Sequence, residues 1–129
     1  MSGRTKIDYI PIGAIPIHFG VTASEKAYER EMARLGIKDY GPWVSPGAFA
    51  TTHLFEHNSE VNGFNKTVLI CFKDVGKFRF ANAAHVAHEA FHVTQFCFEA
   101  MQEDRPGEEV TAYLLQLIVE SVLHSLCGK

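Results

Sequence analysis

The sequence lacks the features that mark several large classes of protein. No apolar stretch approaches the roughly 20 residues needed to span a bilayer. The apolar stretch at residues 10–17 is interrupted by Pro11 and Pro16, and its flanks do not have the layout of a signal peptide. The three cysteines (Cys71, Cys97 and Cys127) form no CxxC pair and leave one over, which argues against a disulfide framework or a cysteine-type zinc site. We therefore expect a cytoplasmic protein with reduced cysteines and no membrane partner.

Clusters of basic residues are also missing. Lysine and arginine total 12 against 15 aspartates and glutamates, for a net charge of -3, and this balance argues against nucleic acid as a partner. What remains is an ordinary globular composition, 47% hydrophobic, in 129 residues that suffice for one substantial core. No repeat or low-complexity segment divides the chain, so we expect one domain over residues 1–129.

The first third of the sequence predicts an arm, a strand and a helix. Residues 1–13 look like a loose arm, and residues 15–21 predict an edge strand because a proline there lacks an amide donor. A helix should follow, capped by Ser24 or Thr22 and ended by Gly36, with its charged side chains on a solvated face.

The rest of the sequence predicts a hairpin and two helices. Residues 48–55 and 66–73 should pair through a loop that contains Asn62 and Gly63, and the second strand is apolar enough to be central. His53 and His57 fall on this hairpin and are best interpreted as solvated, although one of them could line a cleft. Helices are expected over residues 81–102 and from about 106 to 126.

One short motif, His88-Glu89-Ala90-Phe91-His92, predicts chemistry. Histidines four residues apart on a helix lie on one face about one turn apart, so both imidazoles can bind one cation. Glu89 points roughly 100° around the helix, beside the metal, where a general base can take a proton from metal-bound water. The motif is therefore typical of a zinc hydrolase.

The helix that carries the motif is apolar over most of its circumference. One narrow polar arc remains, made of His85, His88, Glu89, His92, Gln95 and Glu99. Such a helix is expected to be buried, and buried imidazoles need partners. A plain solvated face is the alternative for this arc, because HExxH also arises by chance.

A catalytic zinc needs a third protein ligand. The extended motif HExxHxxGxxH is excluded, because Gln95 and Phe98 stand where its glycine and third histidine would be. The last helix begins with two acids, and helical spacing places Glu109 on the polar stripe of that helix, with Tyr113, Gln116 and Glu120. Glu108 falls beside the apolar side, where an acid in the first turn serves the helix dipole. If the two polar stripes face each other, Glu109 faces His88 and His92.

The HExxH motif, followed by Glu109-Val110-Thr111-Ala112-Tyr113, resembles the gluzincin-type zinc metallopeptidases. The resemblance is strongest to the minimal versions among prophage-encoded and ImmA/IrrE-like proteins, and it covers residues 81–126. It implies a small sheet packed on the motif helix, with an edge strand that pairs with an extended peptide. We expect no counterpart of the large C-terminal subdomain of bigger relatives.

We therefore predict an α+β fold with a small, mostly antiparallel sheet packed on two C-terminal helices, a minimal zincin-like domain, plus one exposed N-terminal helix. Zinc would be held by His88, His92 and Glu109, and Glu89 would act as general base in hydrolysis of a peptide or amide bond.

The oxyanion would be stabilised by Tyr113 or His85, which are candidates by position only. The predicted partner is an unidentified peptide or protein substrate. The competing prediction is a non-enzymatic phage-type structural or interaction protein in which the site is structural or vestigial. A regulatory peptidase that acts on one partner protein is intermediate between the two.

Overall fold

A computed structural model describes residues 6–61, 64–73 and 80–127 of the chain. They form, in order, β1 (Asp8–Ile10), β2 (His18–Thr22), α1 (Glu25–Leu35), β3 (Ala50–Val61), β4 (Phe64–Phe72), α2 (Phe80–Ala100) and α3 (Glu108–Leu126). The predicted α+β class, with one N-terminal and two C-terminal helices, is confirmed. The loop predicted between residues 55 and 66 was too long, because β3 continues to Val61 and β4 begins at Phe64. Residues 62–63, which that loop contained, lie outside the described residues.

The sheet is mixed, with the strand order β1-β2-β4-β3. β1 pairs with β2 and β3 pairs with β4 in antiparallel fashion, whereas β2 and β4 are parallel. Two expectations were wrong: β2 is not an edge strand, and part of the expected loose arm forms the edge as β1. Pro16 is no obstacle, because it precedes the first residue of β2 and costs no ladder hydrogen bond.

β4 lies at the centre of two hydrophobic clusters. Val68, Ile70 and Phe72 pack in the cluster that contains the buried residues of α2 and α3. Leu69 and Cys71 alternate with them and pack in the cluster that contains α1. The strand is nearly all apolar because both of its faces are covered. The sheet therefore separates one layer formed by α1 from another formed by α2 and α3.

α1 has the caps that its sequence predicts. The Ser24 hydroxyl accepts the Ala27 amide at 3.1 Å, and Gly36 ends the helix with a left-handed φ of 75°. One charged residue was interpreted wrongly, because Glu31 is buried and accepts hydrogen bonds from Tyr9 and Arg34. Burial alone would raise the pKa of Glu31, but these hydrogen bonds outweigh it and the pKa is lowered.

The motif helix α2 is buried on one side only. Val86, Ala90, Val93 and Cys97 face the core, whereas Ala84, Ala87 and the half-exposed Phe91 face outward. The expectation that the apolar part of this helix is buried was therefore wrong for its outward side. Its physical reason is that two of the outward apolar residues are alanines, whose exposure costs little hydrophobic free energy.

Candidate metal centre

The two histidines of the motif come together on the solvent-facing side of α2. Their Nε2 atoms are 3.3 Å apart, and their ring centroids are 5.0 Å apart at an interplanar angle of 73°. His88 is exposed and His92 is half-buried. The helical spacing of four residues therefore brings the two imidazoles together, as the sequence predicted.

The separation of the two nitrogen atoms fits a shared zinc ion. Zinc–imidazole bonds of about 2.0–2.1 Å at a tetrahedral angle place two ligand nitrogens about 3.3–3.4 Å apart. The observed 3.3 Å matches that value, and it also lies within reach of a long hydrogen bond between two neutral rings. The pair therefore suits two of the four positions of a tetrahedral site.

Glu89 points toward the sheet. Its side chain is only 7% exposed, and its Oε1 accepts a hydrogen bond of 2.6 Å from the Thr52 hydroxyl on β3. The sequence predicted that the Glu89 side chain does not share the helix face of the two histidines. In the structure its carboxyl group lies between α2 and the edge strand β3.

Thr52 is a site residue that the sequence reasoning missed. It belongs to the predicted strand 48–55, two residues before Leu54, which packs in the core beneath α2. Alternation along a strand puts both residues on one face. A hydroxyl at a core-facing position needs a hydrogen-bond partner, and this requirement could have identified Thr52 from the sequence.

Glu109 lies in the first turn of α3 and is exposed, as is Glu108. Among the described residues, no three His, Cys, Asp or Glu side chains are close enough to hold a metal ion together. The structure therefore does not bring Glu109 together with the histidine pair, and the third ligand stays a prediction. Tyr113 is 67% exposed on the same helix.

The other polar residues of the two predicted stripes are exposed. His85 is exposed and stacks on Phe49 with a centroid distance of 4.7 Å. Gln116 and Glu120, which share the polar stripe of Glu109, are exposed on α3. The proposed part of His85 as second electrophile rests on the sequence.

The histidines of β3 belong to the other face of the sheet, and their interpretation as solvated was wrong. His53 packs its ring at 5.1 Å from Tyr28 of α1, and its Nε2 donates to the Trp43 carbonyl at 2.8 Å. Burial lowers the pKa of His53. His57 is buried and shares a hydrogen bond of 2.9 Å with the Thr67 hydroxyl. Neither residue lines the face that carries Glu89.

Comparison of the chain with protein families, curated proteins and solved structures found no significant match. The resemblance to zinc metallopeptidases therefore depends on the motif residues alone. Within the described ranges, no helix is long and apolar enough to cross a membrane. Cys71 and Cys97 are buried free thiols, and Cys127 is an exposed one.

Proposed function

We propose that this protein is a zinc-dependent hydrolase of a peptide or amide bond, with His88 and His92 as metal ligands and Glu89 as general base. The observation that supports it best is the 3.3 Å separation of the two Nε2 atoms. Two histidine nitrogens at the ligand spacing of tetrahedral zinc, with a glutamate at the next position of the helix after His88, support metal-assisted hydrolysis.

Each residue has a defined task in this proposal. When bound, zinc supplies Lewis acidity that polarises a carbonyl and acidifies water. Glu89 accepts the proton of the attacking water on its carboxyl group and returns it to the leaving amine. Burial of Glu89 and its bond to Thr52 hold that group in one orientation during the transfer. On the sequence alone, Glu109 is the proposed third ligand, and Tyr113 or His85 is the proposed second electrophile.

The first test is metal content. Protein purified without chelator and without a metal affinity column should contain about one zinc per chain by elemental analysis, and His88→Ala or His92→Ala should remove it. His124→Ala, a change at an exposed histidine of α3, is the matched control and should retain the metal. Occupancy well below half, with no uptake on addition of zinc, would contradict the proposal.

A second candidate function has one observation in its favour, the exposed position of Glu109. The protein would then be a non-enzymatic interaction or structural module, and the histidine pair would be structural or vestigial. Cleavage of a quenched fluorescent peptide library by zinc-loaded protein, but not by Glu89→Gln, would exclude this candidate.

We also propose a cytoplasmic location and a peptide or protein partner. The free thiols of the described chain agree with a reducing compartment. The net charge of -3 disfavours phosphate-rich partners such as nucleic acid or an anionic membrane surface.

A further inference from the structure

Charge is distributed very unevenly between the two parts of this chain. Residues 80–127, which contain α2 and α3, carry seven acidic residues and a single basic one, Arg105. Residues 1–79 carry eight acidic and ten basic residues. Six of the acids in the helical part are exposed: Glu99, Glu103, Asp104, Glu108, Glu109 and Glu120. The helical hairpin therefore presents a strongly negative surface, while the rest of the molecule is slightly positive.

Large exposed apolar side chains are concentrated on the same hairpin. Among the described residues, five of the six exposed large hydrophobic side chains lie between residues 91 and 117, and Tyr40 is the sixth. Three of them, Val110, Tyr113 and Leu117, are 58%, 67% and 44% exposed. Scattered apolar residues are common on protein surfaces, so only a contiguous arrangement of them indicates a binding surface.

The three residues form a continuous stripe along α3. The spacing i, i+3, i+7 places them within an arc of about 60° and along roughly 10 Å of the helix. Glu109 and Glu120 lie at the border of this arc, about 40° and 20° from Tyr113 around the helix. The buried line of α3, through Ile118 and Val122, points in a different direction. The stripe is therefore additional to the contacts that hold α3 in the fold.

We propose that this stripe of α3 (Val110, Tyr113 and Leu117) binds a basic amphipathic helix of a partner protein. An apolar row at i, i+3 and i+7 matches the row on a helix that packs alongside it. Lysine or arginine on the flanks of that partner would meet the carboxylates that border the stripe and surround the turn between α2 and α3. Nucleic acids and anionic lipids have the wrong sign of charge for this surface.

The probe is a fluorescein-labelled synthetic peptide of 18 residues, made of leucine and lysine, with its leucines on one helical face. Binding to the full chain is measured by fluorescence anisotropy at about 0.15 M salt. Two control peptides are used. One has the same composition with scattered leucines, and the other has glutamate in place of lysine. We expect the amphipathic basic peptide to bind at least tenfold more tightly than either control.

Two sets of variants divide the apolar from the charged contribution. Val110→Ser combined with Leu117→Ser should weaken binding about tenfold, because two partly buried side chains are lost from the interface. Tyr40→Ser removes an aromatic side chain of similar exposure that lies outside α2 and α3, and it should leave binding unchanged. Glu120→Gln, a change at the border of the stripe, should weaken binding and reduce its dependence on salt. Circular dichroism verifies that each variant is folded.

Equal binding of the scattered-leucine peptide, or unchanged binding by the Val110/Leu117 variant, would overturn the proposal and leave only unspecific charge attraction. Sedimentation velocity tests whether a second copy of this chain occupies the stripe instead. A dimer of the free chain that the same double substitution dissociates would show that a second copy covers the stripe, and this too would overturn the proposal. Neither measurement depends on zinc or on hydrolysis.

Discussion

Replacing Thr52 with valine should destabilise the protein, although valine has nearly the shape of threonine. Thr52 donates a hydrogen bond of 2.6 Å to Glu89, which is 7% exposed and has little access to replacement water. A hydrogen bond to a carboxylate contributes about 1.5–3 kcal/mol, and a buried acceptor left unpaired costs a similar amount. For a chain of this length, that corresponds to a fall in melting temperature of roughly 5–15 °C. The higher strand propensity of valine acts in the opposite direction, so we expect a fall in the lower part of this range.

Thr52→Ser is the matched control, since it keeps the hydroxyl and removes one methyl group of a half-buried residue. It should cost less than about 1 kcal/mol. Urea unfolding at pH 7 gives the free energy of unfolding of both variants, and of Thr52→Val combined with Glu89→Gln. The double variant should lose less than the sum of the single changes, because the two residues form one interaction. If Thr52→Val is as stable as Thr52→Ser, the hydrogen bond does not stabilise the fold and the orientation inferred for Glu89 is wrong.

The remaining predictions concern the site and the dependence on pH. Glu89→Gln should keep zinc and abolish hydrolysis, and loss of zinc in elemental analysis would show that Glu89 is a ligand and not a base. In zinc competition titrations, Glu109→Gln should bind zinc much more weakly than the wild type, and Glu108→Gln should bind it nearly as well. Equal zinc affinities of the two variants would show that Glu109 is not a ligand. Burial lowers the pKa of His18 and His53, so the unfolded chain takes up protons first and stability should fall as the pH drops below about 6.5. An unchanged urea midpoint between pH 7.5 and pH 5 would contradict that assignment.

Features that depend on local sequence were predicted correctly. Ser24 and Gly36 bound α1 because a hydroxyl that accepts an amide and a residue free to take positive φ act within a few residues of chain. The central place of β4 followed from its apolar run, since only a strand covered on both faces is apolar at successive positions. The spacing of His88 and His92 is likewise a property of one helix.

Features that depend on distant partners were not predictable in the same way. The burial of Glu31 requires Tyr9, which lies 22 residues earlier, and nothing in the helix itself signals that contact. Tyr9 can lie against β2 because Gly20 has no side chain there: a Cβ at Gly20 would come within 2.8 Å of the Tyr9 ring. The expected facing of the polar stripes of α2 and α3, which would bring Glu109 to the histidine pair, likewise depends on contacts between distant residues and stays a prediction. A helical wheel gives the order of residues around a helix but not its rotation against a neighbour.

The division of the molecule by its sheet also places one thiol in each layer. Cys71 packs with α1, and Cys97 packs with α2 on the other side, while Cys127 is exposed near the end of α3. Burial raises the pKa of both Cys71 and Cys97 to about 12, so an alkylating reagent should modify either one only when its own layer opens. Labelling rates at the two positions would then report the opening of each layer separately within one native sample. A ligand that fixes α2 should slow labelling of Cys97 while that of Cys71 continues at its former rate, unless both layers open in a single cooperative event.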